Sequence, residues 1–178
     1  MRVIAGRFKG RRLNAPTWEG LRPTSDKLRE TLFNILAPRV EGARVVDGYA
    51  GTGAIGIEAL SRGAAHVTFI ESHRRAAALI EENLGACGVE QGYTIQCADV
   101  VAALDAPASA FDLILLDPPY DTENVSAALD AAARHLAGDG LIVLERATRR
   151  EPEESEAVIR VRDVKSGDST LTFFERRP

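Results

Sequence analysis

The sequence has few of the residues that form covalent or metal-bound cross-links. It contains two cysteines, Cys87 and Cys97, and three histidines, and neither set follows the spacing of a zinc site. No apolar run approaches the roughly 18 residues of a membrane-spanning helix, and the first residues lack the apolar core of a secretory signal. We therefore expect free thiols, no metal site, no membrane association and a cytoplasmic location.

Acidic residues are scarce at the start of the chain. The 178 residues carry a net charge of −4, yet residues 1–44 contain ten Lys or Arg against four acids, so the remainder is strongly acidic. A basic segment on an acidic body is typical of a protein that meets a polyanion with one end. A solvated surface would show the same bias, so charge alone leaves both interpretations open. The length indicates one domain, or one domain with a short extension.

The spacing of apolar residues predicts an N-terminal hairpin and helix, followed by alternating strands and helices. Residues 2–13 indicate a short hairpin that turns near Lys9-Gly10, and helical spacing then runs from Thr24 or Ser25 until Pro38. The alternation predicts strands at 44–47, 66–71, 93–96, 111–117 and 140–145, and helices at 54–62, 73–85, 100–104 and 124–137. Such alternation implies a parallel sheet. Strands at 157–163 and 170–175 are joined by a short link, so that pair should be antiparallel.

A glycine-rich loop separates the first core strand from its helix. Its candidate cofactor-binding residues are Asp47, Gly48, Tyr49, Gly51 and Gly53. The glycines let the backbone approach a ligand, and Asp47 ends the strand at the edge where open α/β sheets bind ligands. The pattern that begins at Gly51 also fits the dinucleotide fingerprint. The acid ahead of it suits a cofactor with a sulfonium and a free amino-acid end better than NAD. A tight turn without a ligand is the remaining alternative.

Two further acids follow strands at the same predicted edge. Glu71 closes the second strand, where an acid in nucleoside-binding α/β domains accepts hydrogen bonds from ribose hydroxyls. Asp99 follows the third strand, where it could accept a hydrogen bond from an adenine amino group. A helix N-cap explains Asp99 nearly as well and is compatible with that role.

The tetrapeptide Asp117-Pro118-Pro119-Tyr120 follows the almost continuously apolar fourth strand. Proline fixes the backbone and removes a donor, so the Asp117 carboxylate and the Pro118 carbonyl could hold an amino group as two acceptors. That arrangement would orient the nitrogen lone pair toward a methyl donor. Tyr120 could stack on an extruded base. These four residues are the candidate catalytic set, although the motif is also a good strand terminator.

These residues resemble the bacterial small-subunit ribosomal RNA guanine-N2 methyltransferases, the RsmD family. The likeness covers essentially the whole chain: the basic opening at residues 2–13, the segment at 21–34, the cofactor loop and helix at 50–64, and the tetrapeptide at 117–120. The family usually has an Asp where this chain has His73, and an aromatic residue often stands where this chain has Ser166. These departures concern fine cofactor contacts and the closing hairpin.

The resemblance implies a class I, Rossmann-like S-adenosylmethionine-dependent methyltransferase fold. It would have a seven-stranded, mostly parallel sheet with one antiparallel strand, an extension at 1–40 and a catalytic domain at 41–178. It implies S-adenosylmethionine as donor and the N2 amine of a guanine in 16S ribosomal RNA, free or in an assembly particle, as acceptor. By position, the glycine loop would line the cofactor, Glu71 would hold its ribose and Asp99 its adenine. Asp117 and Tyr120 would hold the target base.

The basic N-terminal segment completes the predicted site. The candidate nucleic-acid-binding residues are Arg7, Lys9, Arg11, Arg12, Arg22, Lys27 and Arg29. The first four would track a phosphate backbone from the hairpin, and the last three would lie near the mouth of the site. We expect a monomer. The alternatives are a DNA amino-methyltransferase acting on adenine N6 or cytosine N4, and a non-catalytic RNA-binding domain that retains the fold. A nicotinamide-dependent dehydrogenase is a more distant one.

Overall fold

The computed structural model describes residues 1–20, 24–106, 110–151 and 155–178, and a seven-stranded sheet runs through these ranges. The strands are β1 (Arg44–Gly48), β2 (His66–Ile70), β3 (Tyr93–Gln96), β4 (Phe111–Leu116), β5 (Leu136–Ala147), β6 (Val158–Ser166) and β7 (Ser169–Arg176). The helices are α1 (Asp26–Val40), α2 (Ala54–Ser61), α3 (Arg74–Ala86), α4 (Val100–Asp105) and α5 (Val125–Arg134).

The strand order is β3-β2-β1-β4-β5-β7-β6. The first five strands in this order pair in parallel, whereas β7 runs antiparallel to both β5 and β6. The predicted Rossmann-like sheet with one antiparallel strand is therefore confirmed. The chain reverses its direction of winding between β1 and β4, and the carboxyl ends of these two strands form the switch point where such sheets bind ligands.

Apolar side chains on both faces of the sheet form two core clusters. Helices α1, α2 and α3 pack on one face, where Val45, Leu115 and Val143 lie. Helices α4 and α5 pack on the other, where Val46 and Ile114 lie. Strand β4 is nearly continuously buried because helices cover both of its faces. The core cluster that contains α1, α2 and α3 also includes residues from the first 40 positions. The predicted domain boundary at residue 40 remains a prediction.

Helix α1 begins where the sequence indicated and ends later than predicted. The Ser25 hydroxyl caps it by accepting from the Leu28 N–H (3.2 Å), and Leu28, Leu32 and Phe33 face the core as expected. Pro38 does not end the helix, which continues to the buried Val40. In the last turn a proline costs a single backbone hydrogen bond, and burial of apolar surface by Val40 offsets that loss.

The predicted N-terminal hairpin is present: Arg2 and Arg12 form an antiparallel bridge, and Val3 exchanges backbone hydrogen bonds with Gly10 and Arg11 at 2.9 and 3.0 Å. Residues 7–10 form the connecting turn, which includes the predicted Lys9-Gly10. Its backbone is held by α2: the fully buried Glu58 carboxylate accepts from the Ile4 and Ala5 N–H groups at 2.8 and 3.0 Å. The hairpin is therefore held both by its own backbone hydrogen bonds and by hydrogen bonds to the neighbouring helix.

Strand β5 also starts earlier than predicted. Helix α5 ends at Arg134, and Leu136 already pairs with Phe111 before the register shifts to Leu113↔Leu141. This irregular start falls where the sequence indicated the end of a helix. Within the described ranges, no helix is both long and apolar enough to cross a membrane.

Candidate active site

The glycine loop turns sharply from β1 into α2. Gly51 and Gly53 have φ values of +57° and +76°, and Gly53 is the left-handed N-cap of α2. These conformations favour glycine over any residue with a Cβ. Gly56 lies in the first turn of α2, and a Cβ there would come within 2.3 Å of the Phe69 ring on β2. The loop therefore holds the amino end of α2 directly over the switch point.

Asp47 lies beneath this loop, and only 1% of its surface is exposed. Its Oδ2 accepts from the Gly56 N–H at 2.8 Å, so the carboxylate fixes the first turn of α2. Burial raises the pKa of Asp47 well above its usual range, and the nearby charges of Asp117 and Glu71 raise the pKa further, while the Gly56 hydrogen bond opposes them. A cationic ligand group at this edge would favour the ionised form.

Glu71 and Asp99 follow β2 and β3 at the same edge. Glu71 Oε2 accepts from the Gly51 N–H and Oε1 from the His73 N–H, both at 2.8 Å, so Glu71 ties the glycine loop to the start of α3. Asp99 is exposed and caps α4 by accepting from the Ala102 N–H at 3.1 Å. The N-cap interpretation of Asp99 is therefore confirmed, and its role toward adenine stays a prediction.

The predicted cofactor residues thus meet around one loop. Asp47, Glu71 and the glycines surround it, and Tyr49, with φ +61°, packs half-buried against the core cluster of α4 and α5. The acids and backbone groups fit a ligand that carries an ammonium or sulfonium and ribose hydroxyls, since carboxylates accept hydrogen bonds and attract cations.

The Asp-Pro-Pro-Tyr segment adjoins the loop directly. The Asp117 N–H donates to the Gly48 carbonyl at 3.3 Å, so the end of β4 lies beside the end of β1. The Asp117 Oδ2 accepts from the Thr24 hydroxyl at 2.8 Å, which ties the residue that precedes α1 to the motif. Pro118 is buried and Pro119 is exposed. The structure therefore brings the predicted catalytic and cofactor residues to one site.

Tyr120 belongs to a short polar chain that leads to β5 and β7. Its hydroxyl lies 3.5 Å from Ser169 Oγ, and the Ser169 hydroxyl donates to Glu145 Oε1 at 3.0 Å. The Arg150 guanidinium donates to the Tyr120 carbonyl. These contacts hold the half-buried Tyr120 ring at the rim of the site. Glu145 lines the same small cleft as Asp117 and Thr24.

The basic hairpin lies away from this edge. The Arg7 N–H donates to the Ser61 carbonyl at the last residue of α2, whereas the cofactor loop adjoins the first. At 1.5 Å per residue, the two ends of α2 are roughly 10–12 Å apart. Arg11 donates to the Cys87 carbonyl at the matching end of α3. The exposed Arg7, Lys9, Arg11 and Arg12 are therefore separated from the candidate catalytic residues by the length of a helix.

Of the three basic residues expected at the mouth, Lys27 is exposed in the first turn of α1, near Thr24. Arg22 lies outside the described residues. The prediction that Arg29 lies at the mouth of the site is wrong, because its side chain is fully buried. It donates to the Arg2 carbonyl (2.6 Å) and to Asp26 (2.9 Å), and burial lowers its pKa. A guanidinium without exposed surface cannot contact a phosphate, so Arg29 anchors the N-terminus to α1.

Four residues at the site were not predicted to have a role there: Trp18, Thr24, Glu145 and Arg150. Glu145 could have been found by the rule that identified Asp47 and Asp117, since it is an acid near the end of a parallel strand. Trp18 stacks on His73 (centroids 6.2 Å apart) with the Arg75 guanidinium 4.4 Å from its ring centroid. No sequence signal connected Trp18 with α3, because that contact is purely tertiary.

A protein-family model, related proteins and solved structures all match this chain. The family model described as Conserved hypothetical protein 95 matches residues 1–175. The ribosomal RNA small subunit methyltransferase D of Haemophilus influenzae is 42% identical over 67% of this chain and 64% of its own length. The Escherichia coli protein of the same name is 38% identical over 67% of this chain and 60% of its own length. The solved structure of E. coli yhhF, assigned as a methyltransferase, has a TM-score of 0.86 and 31% identity, covering 99% of this chain and 97% of that one.

Proposed function

Because the chain belongs to the RsmD family of rRNA methyltransferases, we propose that it methylates the exocyclic N2 amine of a guanine in small-subunit (16S) ribosomal RNA, with S-adenosylmethionine as donor. The observation that carries this proposal is the contact between Asp117 and Gly48 at the switch point. It supports the proposal because the Asp-Pro-Pro-Tyr segment lies beside a glycine loop backed by Asp47 and Glu71.

The cofactor would occupy the edge formed by β1, β2 and β3. When bound, S-adenosylmethionine supplies an electrophilic methyl carbon. Asp47 and the loop backbone would bind its amino-acid end, Glu71 its ribose hydroxyls and Asp99 its adenine amine. Glu71 already accepts two backbone hydrogen bonds, and a carboxylate has about four lone-pair sites, so it has capacity for more.

The target amine would be held at the end of β4. An exocyclic base amine is a weak nucleophile because its lone pair is delocalised into the ring. The Asp117 carboxylate and the Pro118 carbonyl, fixed by two prolines, would accept its two N–H groups and aim the lone pair toward the cofactor side. The nitrogen loses one proton as it is alkylated, and the Asp117 carboxylate is the acceptor nearest to it.

Tyr120 would stack on the extruded base. Stacking on an aromatic side chain contributes about 1–3 kcal/mol, which is comparable with the few kcal/mol that extrusion costs. The bond from Arg150 to the Tyr120 carbonyl and the contact of the Tyr120 hydroxyl with Ser169 Oγ support a fixed ring. Lys27 and the hairpin cations would bind phosphates on either side of the target, in free rRNA or in an assembly particle. We propose a cytoplasmic monomer.

A DNA amino-methyltransferase is the second candidate, since the same tetrapeptide would hold adenine N6 or cytosine N4. A test uses labelled cofactor with 16S rRNA, small-subunit particles or duplex DNA, followed by mass mapping of the methylated nucleoside. We expect N2-methylguanine in rRNA or particles. Label found in DNA alone would refute the proposal.

The catalytic assignment is tested with Asp117→Ala. We expect loss of methyl transfer by a factor of at least about 100, since removal of one well-placed polar group from a catalytic site costs about that much. Cofactor affinity by calorimetry should survive, because Asp47 and Glu71 are unchanged. Asp139→Ala, at an exposed aspartate near the start of β5, is the matched control. If the Asp117 variant turned over as fast as the control variant, a catalytic role for Asp117 would be contradicted. If the control variant did not turn over either, a non-catalytic RNA-binding protein would be favoured.

A further inference from the structure

Glu145 is a second carboxylate beside Asp117. Strands β4 and β5 pair in parallel with Leu115↔Val143 and Leu116↔Leu144 as their last matched residues. One more step along this register places residues 117 and 145 next to each other on adjacent strands. Both side chains point to the same sheet face as Leu115 and Val143, because alternate residues of a strand share a face.

Both carboxylates line one cleft. Its walls are apolar, from Leu28 and Leu32 of α1, Ile55 of α2, and Leu171 of β7, and its polar side chains come from Thr24, Asp117 and Glu145. The Thr24 hydroxyl donates to Asp117, and Ser169 donates to Glu145 Oε1. The cleft therefore presents two hydrogen-bond acceptors side by side between apolar walls, which suits a flat ligand edge with two adjacent donors.

Among the nucleobases, guanine has such an edge. Its Watson–Crick side presents the N2 amine and the N1–H next to each other, and both are donors. Adenine presents the N6 amine beside an unprotonated N1, and cytosine presents the N4 amine beside an unprotonated N3. A carboxylate next to the amine-holding group would therefore attract guanine and repel the ring nitrogen of the other two bases.

We propose that Glu145 is the residue that selects guanine, by accepting a hydrogen bond from N1–H while Asp117 holds the N2 amine. This proposal rests on the proposed function, since it requires the target base to enter the cleft beside the glycine loop. The Ser169 hydroxyl, between Glu145 and Tyr120, acts as a positioning group: it fixes the carboxylate that reads the base edge relative to the ring that stacks on the base face.

The test separates base selection from general activity. The mapped target guanine is replaced by 2-aminopurine, which keeps the 2-amino group but has an unprotonated N1, in rRNA assembled by ligation into a small-subunit particle. For the unmodified protein, kcat/KM should be about 10- to 100-fold higher for guanine, because an unpaired polar group in a buried site causes a loss of that size. In Glu145→Gln the side-chain amide can donate to N1, so the ratio should fall to about threefold or less.

Two controls complete the experiment. Ser169→Ala keeps the carboxylate and removes its link to Tyr120, so kcat/KM for guanine should fall more than that for 2-aminopurine, and the ratio should fall by less than in Glu145→Gln. Far-ultraviolet circular dichroism and cofactor affinity verify that Glu145→Gln is folded. Equal kcat/KM for the two bases with the unmodified protein, or an unchanged ratio in Glu145→Gln, would overturn the Glu145 assignment alone. Absence of N2-methylguanine from every reaction of the unmodified protein would overturn the proposed function as well.

Discussion

Replacement of the buried Glu58 by Gln should release the N-terminal segment from the cofactor helix. The Glu58 carboxylate has no exposed surface and accepts three hydrogen bonds: from Ile4 N–H at 2.8 Å, Ala5 N–H at 3.0 Å and Arg62 Nε at 2.8 Å. Glutamine has the same shape but a single acceptor oxygen. Its amide group would face at least one N–H donor, so that donor loses its partner.

The fall in the free energy of unfolding expected for Glu58→Gln follows from these hydrogen bonds. One buried N–H without an acceptor costs about 1–3 kcal/mol, and loss of the charge-assisted bond to Arg62 adds about 1.5–3 kcal/mol. Because the two terms share one side chain and are not additive, we expect the free energy of unfolding to fall by about 2–5 kcal/mol. For a domain of this length that lowers Tm by about 5–15 °C.

The assay combines thermal unfolding with amide hydrogen exchange. The amides of Ile4 and Ala5 should exchange faster in Glu58→Gln, while amides in β1 and β4 keep their relative protection. Glu30→Gln, on the exposed side of α1, is the matched control and should change stability by less than about 0.5 kcal/mol. A variant with unchanged Tm and unchanged exchange at Ile4 and Ala5 would refute the inferred anchoring.

Two other predictions concern RNA binding and pH. Lys9→Ala combined with Arg12→Ala should weaken rRNA binding and reduce the slope of log affinity against log salt by about 1.5–2, with cofactor affinity unchanged. Asp47→Asn keeps the acceptor for the Gly56 N–H but removes the titration. Since the folded-state pKa of Asp47 is raised above 3.8, the native protein should lose stability relative to this variant as pH rises above about 4 and through the folded-state pKa.

Each of these predictions has its own control. For the RNA measurement, Lys165→Ala with Arg176→Ala removes two exposed cations from the distant β6–β7 hairpin, and an equal change of slope there would contradict the assignment of the N-terminal turn. For the pH measurement, urea unfolding of both proteins is followed from pH 4.5 to 8. A constant difference between Asp47→Asn and the native protein over that range would show that Asp47 does not titrate abnormally.

Most of the fold was predictable because its signals are local. The run of apolar residues in β4, the alternation of strands and helices and the short link before β7 each reflect backbone hydrogen bonding and burial within one element. The predicted boundaries failed where neighbouring elements outweigh local preference. Pro38 lies inside α1 because Val40 is buried beyond it, and β5 starts at Leu136 because Phe111 pairs with it.

The predictions for the site residues also succeeded where the signal is local and failed where neighbouring elements decide. Asp47, Glu71 and Asp117 were found because an acid at the carboxyl end of a parallel strand has a position that follows from the strand alone. The prediction for Arg29 was wrong because it considered the charge of the side chain and not its burial. Glu145 ends the predicted strand at 140–145, so the same rule applied to it and was not used, whereas its nearness to Asp117 follows only from the pairing of β4 with β5.

The sequence by itself determined the elements, the glycine loop and the Asp-Pro-Pro-Tyr tetrapeptide, since each depends on residues a few positions apart. The tertiary structure decided which acids share a cleft and how the N-terminal segment is anchored. It also decided that the basic turn lies a helix length from the catalytic edge. These features depend on strand order and on hydrogen bonds between residues more than 50 positions apart, such as those of Glu58 with Ile4 and Ala5, which no local pattern records.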